Sequence, residues 1–336
     1  MARRALRIVL SLALATGLML LFLWNVDLKE MARTLARADV NWVVASILAT
    51  LLSYWLRVVR WQQILRPAGH VRHSSAVLAT AVGYAGIALL PARMGDILRP
   101  VLLSRRDKIP TSATLASILT ERLFDLWTVV FFLLVFLAWP PPMAYLTADA
   151  SRQLNLLRLS GWVVGAGLFA GTAFLFVLFR YQNRFVSLVT GPISRFRPAW
   201  KDPLNSFFDH FLDGLRVIQR PRDLVLTLGT SMVIWGVIFC QIHFSLMAFG
   251  IDLPFRAAFL LVALTIIGML IPTPGGIGGF HAMIQLGLTA FFAIDPNTAA
   301  GLAIGHHAIC FVPITVIGLI CIPVFGLSLK TVGAKS

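Results

Sequence analysis

A chain of 336 residues that is 58% hydrophobic and 13% charged, with mean hydropathy +0.83, is too apolar for a soluble domain and reads as a polytopic membrane protein. Its net charge of +15 does not make it a nucleic-acid binder: the basic residues flank apolar runs, as membrane topology and anionic lipid headgroups require, and no recognition motif accompanies them. Cys240, Cys310 and Cys321 lie inside apolar runs without metal-ligand spacing, so neither metal, disulfide framework nor cofactor is expected.

In chain order, Arg3, Arg4 and Arg7 precede an apolar run over 6–25 that lacks a small-residue cleavage site. It reads as an uncleaved first span with a cytoplasmic N-terminus. The span 41–61 comes next, and Arg57, Arg60, Arg66 and Arg72 are assigned to the cytoplasmic side at its end. The next run, 74–90, stops at Pro91. A complete crossing would place Arg105, Arg106 and Lys108 outside, against the positive-inside rule, whereas a dip over 74–104 that breaks and returns keeps them inside.

Spans 111–139 and 159–179 then lead out and back around Pro140, Pro141 and Pro142. Segment 180–223 is cytoplasmic, with eight basic residues from Arg180 to Arg222. Within it Leu204, Phe207, Phe208, Phe211, Leu212, Leu215 and Ile218 recur at helical spacing, which predicts an amphipathic helix on the membrane surface or against the other spans. A span over 224–249, a dip over 255–293 broken between Pro272 and Gly279, and a span over 298–326 complete the chain. Trp24, Trp42, Trp61, Trp139 and Trp162 fall near span ends, as an aromatic belt would.

The predicted fold is therefore an all-α polytopic membrane protein with about six full transmembrane helices and two re-entrant broken-helix hairpins. It forms one integral domain over 1–336 in the cytoplasmic membrane, with both termini inside. Units 41–139 and 224–326 share the order span, dip, span and enter from opposite sides, which makes them inverted-topology repeats. Gly161 and Gly165 are spaced to join subunits of a homo-oligomer or to pack helices within one bundle.

Three constellations carry candidate chemistry, because an ionisable side chain in mid-membrane costs roughly 2.5–3.5 kcal/mol on insertion scales. Arg93, Asp96 and Arg99 come after Pro91 at spacings of three and share a face if the returning limb is helical. There they suit a phosphate or carboxylate; the alternative is a self-neutralising ladder bridged by Asp96. Glu121, Arg122 and Asp125 lie about ten residues into their span, where Arg122 can meet an anionic headgroup and a carboxylate can carry a proton. A structural ion pair is the competing reading.

The third is the turn Pro272-Thr273-Pro274-Gly275-Gly276-Ile277-Gly278-Gly279, with His281 beyond it. Its glycines can leave N–H groups directed at an anion. His281, His306 and His307 are further candidates for a proton relay, although a neutral histidine bonded to a carbonyl is the commoner outcome. No P-loop, nucleophile elbow or metal-ligand set occurs, so no catalytic residue is assigned and the chain is not expected to be an enzyme.

The segments Leu90-Pro91-Ala92-Arg93-Met94-Gly95-Asp96-Ile97-Leu98-Arg99, Glu121-Arg122-Leu123-Phe124-Asp125 and Pro272-Thr273-Pro274-Gly275-Gly276-Ile277-Gly278 resemble three signatures of the lysylphosphatidylglycerol synthase transmembrane-region family, the flippase-like integral membrane proteins. The resemblance spans about residues 6–326. It implies a protein that moves a lipid across the bilayer, with a phospholipid, a polyprenyl-phosphate-linked lipid or a hopanoid-related lipid as partner.

Two departures stand out. The family usually carries Glu where Asp96 stands, and its third signature usually ends in a Glu shortly after the glycines, where this chain has His281. A soluble aminoacyl-transfer domain is not present before Ser336, so synthesis of lysylphosphatidylglycerol by this chain alone is not expected. The function expected is translocation of an anionic or phosphate-bearing lipid. A membrane transferase with Glu121 or Asp125 as base is one rival, and a non-transporting scaffold for a biosynthetic partner is the other.

Overall fold

A computed structural model describes residues 2–24, 26–90, 93–181, 205–206 and 221–325. Among the described residues it is built from α-helices and short 3-10 turns, without strands. The helices are α1 (Ala2–Leu23), α2 (Leu28–Ala36), α3 (Val40–Leu65), α4 (His73–Leu89), α5 (Gly95–Asp107), α6 (Thr111–Ala138), α7 (Ala150–Arg180), α8 (Pro221–Ala248), α9 (Ala257–Gly268), α10 (Gly279–Phe292) and α11 (Pro296–Cys321). The amphipathic helix predicted over 204–218 lies outside the described residues, apart from 205–206.

Local chemistry sets the helix starts. Asp27, Asp39 and Asp295 each accept hydrogen bonds from N–H groups of the adjoining first turn, and so cap α2, α3 and α11. Pro296 occupies the first turn of α11, where its missing N–H costs nothing. Asp27 also donates its own N–H to Asn297 Oδ1 at 2.8 Å, tying the start of α2 to the start of α11.

Each segment expected to dip folds as a tight helical hairpin that closes on glycine. In the first, α4 and α5 cross where a Cβ on Gly95 would lie 2.0 Å from the Gly83 carbonyl oxygen. In the second, a Cβ on Gly279 would lie 2.3 Å from the Gly268 carbonyl oxygen, which brings α9 against α10. Backbones can approach so closely only where no side chain intervenes.

The packing of the two units has the same plan. Helix α3 packs on α8, the first helix of one unit on the first helix of the other. The contact of α11 with α4 has its counterpart in that of α6 with α9, and α5 on α6 in α10 on α11. Phe132, Phe239 and Phe259 join α6, α8 and α9 in one apolar core, with ring centroids 4.6–5.1 Å apart. Val58, Ala79 and Leu103 join α3, α4 and α5 in another.

Among the described residues, four stretches are long and apolar enough to cross a bilayer: α3, Leu154–Phe174 within α7, α8, and Pro296–Phe325. The pair Leu10–Leu23 and Leu28–Ala36, bent by 90°, qualifies as a fifth when taken together. Helix α6 has 28 residues, about 42 Å at 1.5 Å per residue, and so has the length but carries Glu121, Arg122 and Asp125.

Two assignments made from sequence are corrected. Arg57 and Arg60 are not at a cytoplasmic helix end; α3 continues to Leu65 and buries both. Trp61 is not a belt residue: it is fully buried, and its indole N–H donates to Ser117 Oγ at 2.8 Å. Trp24, Trp139 and Trp162 are exposed.

Candidate functional site

Helix periodicity explains how the charges meet. Arg57 and Arg60 lie three apart on α3, and Glu121 and Asp125 four apart on α6, so each pair presents one face. The facing helices place Arg60 between the two carboxylates, with Nη2 3.0 Å from Glu121 Oε1 and Nη1 2.7 Å from Asp125 Oδ1. Arg60 also donates to Ser231 Oγ of α8 at 3.0 Å. From α5, Arg99 Nη1 donates to Glu121 Oε2 at 2.8 Å, and its guanidinium stacks 3.9 Å from the Trp61 ring. Arg60, Arg99 and Glu121 are therefore sealed inside the protein.

The outer half of the cluster faces a cavity. Arg57 Nη1 lies 3.2 Å from Asp125 Oδ2, and Arg122 lies 2.6 Å from Asp96 Oδ1 and 3.6 Å from Asp125 Oδ2. Trp235 donates its indole N–H to Asp125 Oδ1 at 3.1 Å. Arg93 completes the chain: its Nε is 3.4 Å from Asp96 Oδ2 and its Nη1 is 3.4 Å from the Met269 carbonyl oxygen. It thereby links the break of the first hairpin to the break of the second. Among the described residues of this cluster, five guanidiniums face three carboxylates, an excess of two positive charges.

The cavity has a volume of about 540 Å³, within the range of small-molecule sites. Arg57, Arg93, Asp96, Arg122 and Asp125 line it, whereas Arg99 and Glu121 do not. Most of the remaining wall is apolar, and its rim reaches Leu126 and Leu270, both exposed on the outer surface.

The ladder expected along 93–99 therefore takes another form. Asp96 bridges Arg93 and Arg122, and Arg99 turns inward to Glu121. Arg93 lies before α5, with φ 54°, rather than within its first turn.

The glycine turn sits behind the cavity wall. Thr273, Gly275, Gly276, Gly278 and Gly279 are absent from its lining, and their surroundings are those of a packed crossing. Gly276 donates its N–H to Thr273 O, and Gly275 O lies 2.9 Å from His307 Nε2. Gly278, at φ 86°, passes so close to α1 that a Cβ there would meet Leu18 Cβ at 2.3 Å. His281 is buried, and its Nδ1 accepts the Gly278 N–H at 3.3 Å, so it caps the first turn of α10. His306 does line the cavity, with Nδ1 2.7 Å from Ser245 Oγ.

Residues 8–318 match the family described as Lysylphosphatidylglycerol synthase TM region. The chain belongs to that family. As a member of the lysylphosphatidylglycerol synthase TM-region family it is an integral, multi-pass membrane protein. It is 25% identical over 324 residues to the glycosyltransferase AglD of Haloferax volcanii, covering 90% of this chain and 51% of AglD. It thus spans about half the length of that relative. To the UPF0104 membrane protein PH1989 of Pyrococcus horikoshii it is 22% identical over 322 residues, covering 92% of this chain and 94% of the relative. A UPF0104 membrane protein of Methanothermobacter thermautotrophicus is 21% identical over 310 residues, with 90% of each chain covered.

Arg57 and Arg60 are the members of the cluster that sequence reasoning missed. The signal was available: the apolar run of α3 resumes after them with Val58, Val59, Trp61, Ile64 and Leu65, so they interrupt a helix rather than end it.

Proposed function

We propose that this family member binds the phosphate of an anionic lipid in the cavity and moves that headgroup across the cytoplasmic membrane, while the hydrocarbon tail stays in the bilayer. The observation that supports this best is the uncompensated charge: Arg57, Arg93 and Arg122 reach a mostly apolar cavity with more positive charge than the carboxylates beside them neutralise. Guanidinium forks match phosphate oxygens in geometry, and a desolvated guanidinium holds an anion more strongly than one in water. The exposed leucines at the rim give a tail a path from the cavity into lipid. Arg93, joining the two helix breaks, is placed to register any movement of one hairpin against the other. Access alternating between two inverted units is the mechanism that this arrangement fits.

The transferase reading needs a carboxylate free to act as a base. Both oxygens of Glu121 are taken by Arg60 and Arg99, and Glu121 does not line the cavity. Both oxygens of Asp125 are likewise taken. This geometry favours positioning over proton abstraction, and the name of AglD alone does not reverse that preference.

The test is headgroup movement in liposomes containing the full chain, followed with labelled lipids and a membrane-impermeant quencher. Protein-dependent movement of phosphate-bearing lipids, lost in Arg122→Gln, is expected. Equal movement by wild type and variant would refute the assignment.

A further inference from the structure

Beside the arginines the cavity has a second set of polar groups, which carries no charge. Helix α3 sends Thr50, Ser53, Tyr54 and Arg57 to the cavity at spacings of three, four and seven, so all four share one face. At 1.5 Å per residue, Thr50 lies about 10 Å along the axis from Arg57. Around Thr50 stand Gln241 of α8 and Cys310 of α11, with Tyr84 of α4 against Tyr54, ring centroids 4.6 Å apart.

Several of these groups keep hydrogen-bonding capacity that no described residue uses. The Tyr84 hydroxyl is buried without a hydrogen-bond partner among the described residues, and Tyr84 lines the cavity. Gln241 gives both amide hydrogens to protein, to Thr50 Oγ1 at 2.7 Å and Cys310 Sγ at 3.0 Å, which leaves its side-chain oxygen to accept from a ligand. Ser53 donates to Thr50 O at 2.7 Å and retains its lone pairs. A buried donor left unpaired is costly, so a ligand that satisfies it gains selectivity over one that does not.

Among the described residues, the same walls offer no free carboxylate to a cation. Asp96 is held by Arg93 and Arg122, and Asp125 by Arg57, Arg60 and Arg122. The aromatic faces of Trp235 and Tyr84 already lie 5.7 and 5.9 Å from the guanidiniums of Arg57 and Arg99, while Tyr54 packs on Tyr84, and Phe280 and Phe311 on His307. His306, also in the lining, is engaged by Ser245 and Cys310.

From this juxtaposition we propose that the cavity selects lipids whose phosphate carries an uncharged, hydroxyl-rich extension, a polyol or sugar, and rejects headgroups ending in an ammonium. The phosphate takes the arginine end and the hydroxyls take Tyr84, Gln241 and Ser53. The inference rests on the phosphate-binding reading above and adds the chemistry of the group attached beyond the phosphate.

The experiment measures dissociation constants on the detergent-solubilised full chain for three short-chain lipids: phosphatidylinositol, phosphatidylmethanol and phosphatidylethanolamine. The first two share one phosphodiester charge and differ in the polyol. Phosphatidylinositol should bind about tenfold tighter than phosphatidylmethanol, the gain of one or two net hydrogen bonds. Phosphatidylethanolamine should bind weaker than either.

In Tyr84→Phe/Gln241→Leu the ratio between the first two lipids should fall toward one, and the single Tyr84→Phe, which removes one oxygen, should lower it part-way. Arg122→Gln should weaken both. Equal binding of phosphatidylinositol and phosphatidylmethanol by wild type, an unchanged ratio in the single variant, or phosphatidylethanolamine binding as tightly as phosphatidylinositol would overturn the proposal. If Arg122→Gln alters no constant, the phosphate reading falls with it.

Discussion

Replacing Glu121 with Gln tests the division of the cluster into a buried half that orders the fold and a rim half that meets the ligand. Glu121 is inaccessible, and its two oxygens hold Arg60 at 3.0 Å and Arg99 at 2.8 Å. Glutamine keeps the shape but removes the charge and turns an NH₂ toward one of two guanidiniums. The nearest remaining carboxylate, Asp125, reaches Arg60 but has no contact with Arg99. Breaking one side of a buried ion-pair network costs about 3–5 kcal/mol, because the partner charge stays buried. At roughly 2 °C per kcal/mol for a large domain, Tm should fall by about 6 °C or more.

Arg122 is the control. Its side chain is 34% exposed, and its partner Asp96 retains Arg93, so Arg122→Gln should cost at most about 1 kcal/mol. The assay is thermal unfolding of the purified chain, read by tryptophan fluorescence, beside lipid movement in liposomes. Glu121→Gln should lose stability first, and Arg122→Gln should lose movement with Tm nearly unchanged. A Glu121→Gln protein as stable as wild type but inactive would refute the division and return Glu121 to the ligand site.

Local geometry supports three further outcomes. Gly278→Ala should sharply reduce the folded yield on size exclusion, since φ 86° and the 2.3 Å approach to Leu18 Cβ both exclude a side chain; a normal yield would place α1 elsewhere. At the end of α5, burial raises the Asp107 carboxyl, but the Ser75 hydroxyl at 2.7 Å and the Arg72 N–H at 2.9 Å outweigh it and hold it below the usual carboxylate range. Its contribution should therefore be complete at neutral pH and be lost as pH falls through the depressed folded value, so Asp107→Asn should flatten the acid limb of stability against pH; an unchanged limb would count against this. Finally, cysteines at Lys108 and Asp252, both exposed, should react with an impermeant thiol reagent from opposite sides of the membrane, and same-side labelling would rule out inverted units.

The helices were largely legible because apolar runs, prolines and acidic caps are local signals. Runs at 111–139, 224–249 and 298–326 became helices over 111–138, 221–248 and 296–321, with Asp295 and Pro296 marking the last start. The pairing within the charge cluster was less legible, because ion pairs are set by which helices touch. Sequence spacing joined Arg93, Asp96 and Arg99, but α5 turns Arg99 toward Trp61 and Glu121 while Asp96 meets Arg122 from α6. From sequence the glycine turn suits an anion as well as a close crossing, because glycine serves close packing and anion binding with the same residues. The position of α1, with Leu18 against Gly278, of Ala88 near Gly275 and of the Gly268 carbonyl against Gly279 favours packing here.

An uncompensated pair of charges inside a membrane protein requires the structure to hold it without a ligand. Part of that holding is visible. Arg99 lies flat against Trp61, and Arg57 stands over Trp235, so ring faces take some of the field that a carboxylate would otherwise meet. Arg93 donates to a carbonyl oxygen freed by the second helix break, where no helical N–H competes for it. At the cavity the Arg122–Asp96 pair is short, 2.6 Å, but Arg93 stands 3.4 Å from both its partners and Arg122 3.6 Å from Asp125, whereas the contacts of 2.7–3.0 Å made by Arg60 and Arg99 lie behind it. A phosphate arriving in the cavity would thus meet, in Arg93, a guanidinium that can turn toward it without disturbing the buried pairs. One loosely held guanidinium at the cavity, in front of pairs that stay closed, is what a site that must both take up and release an anion requires.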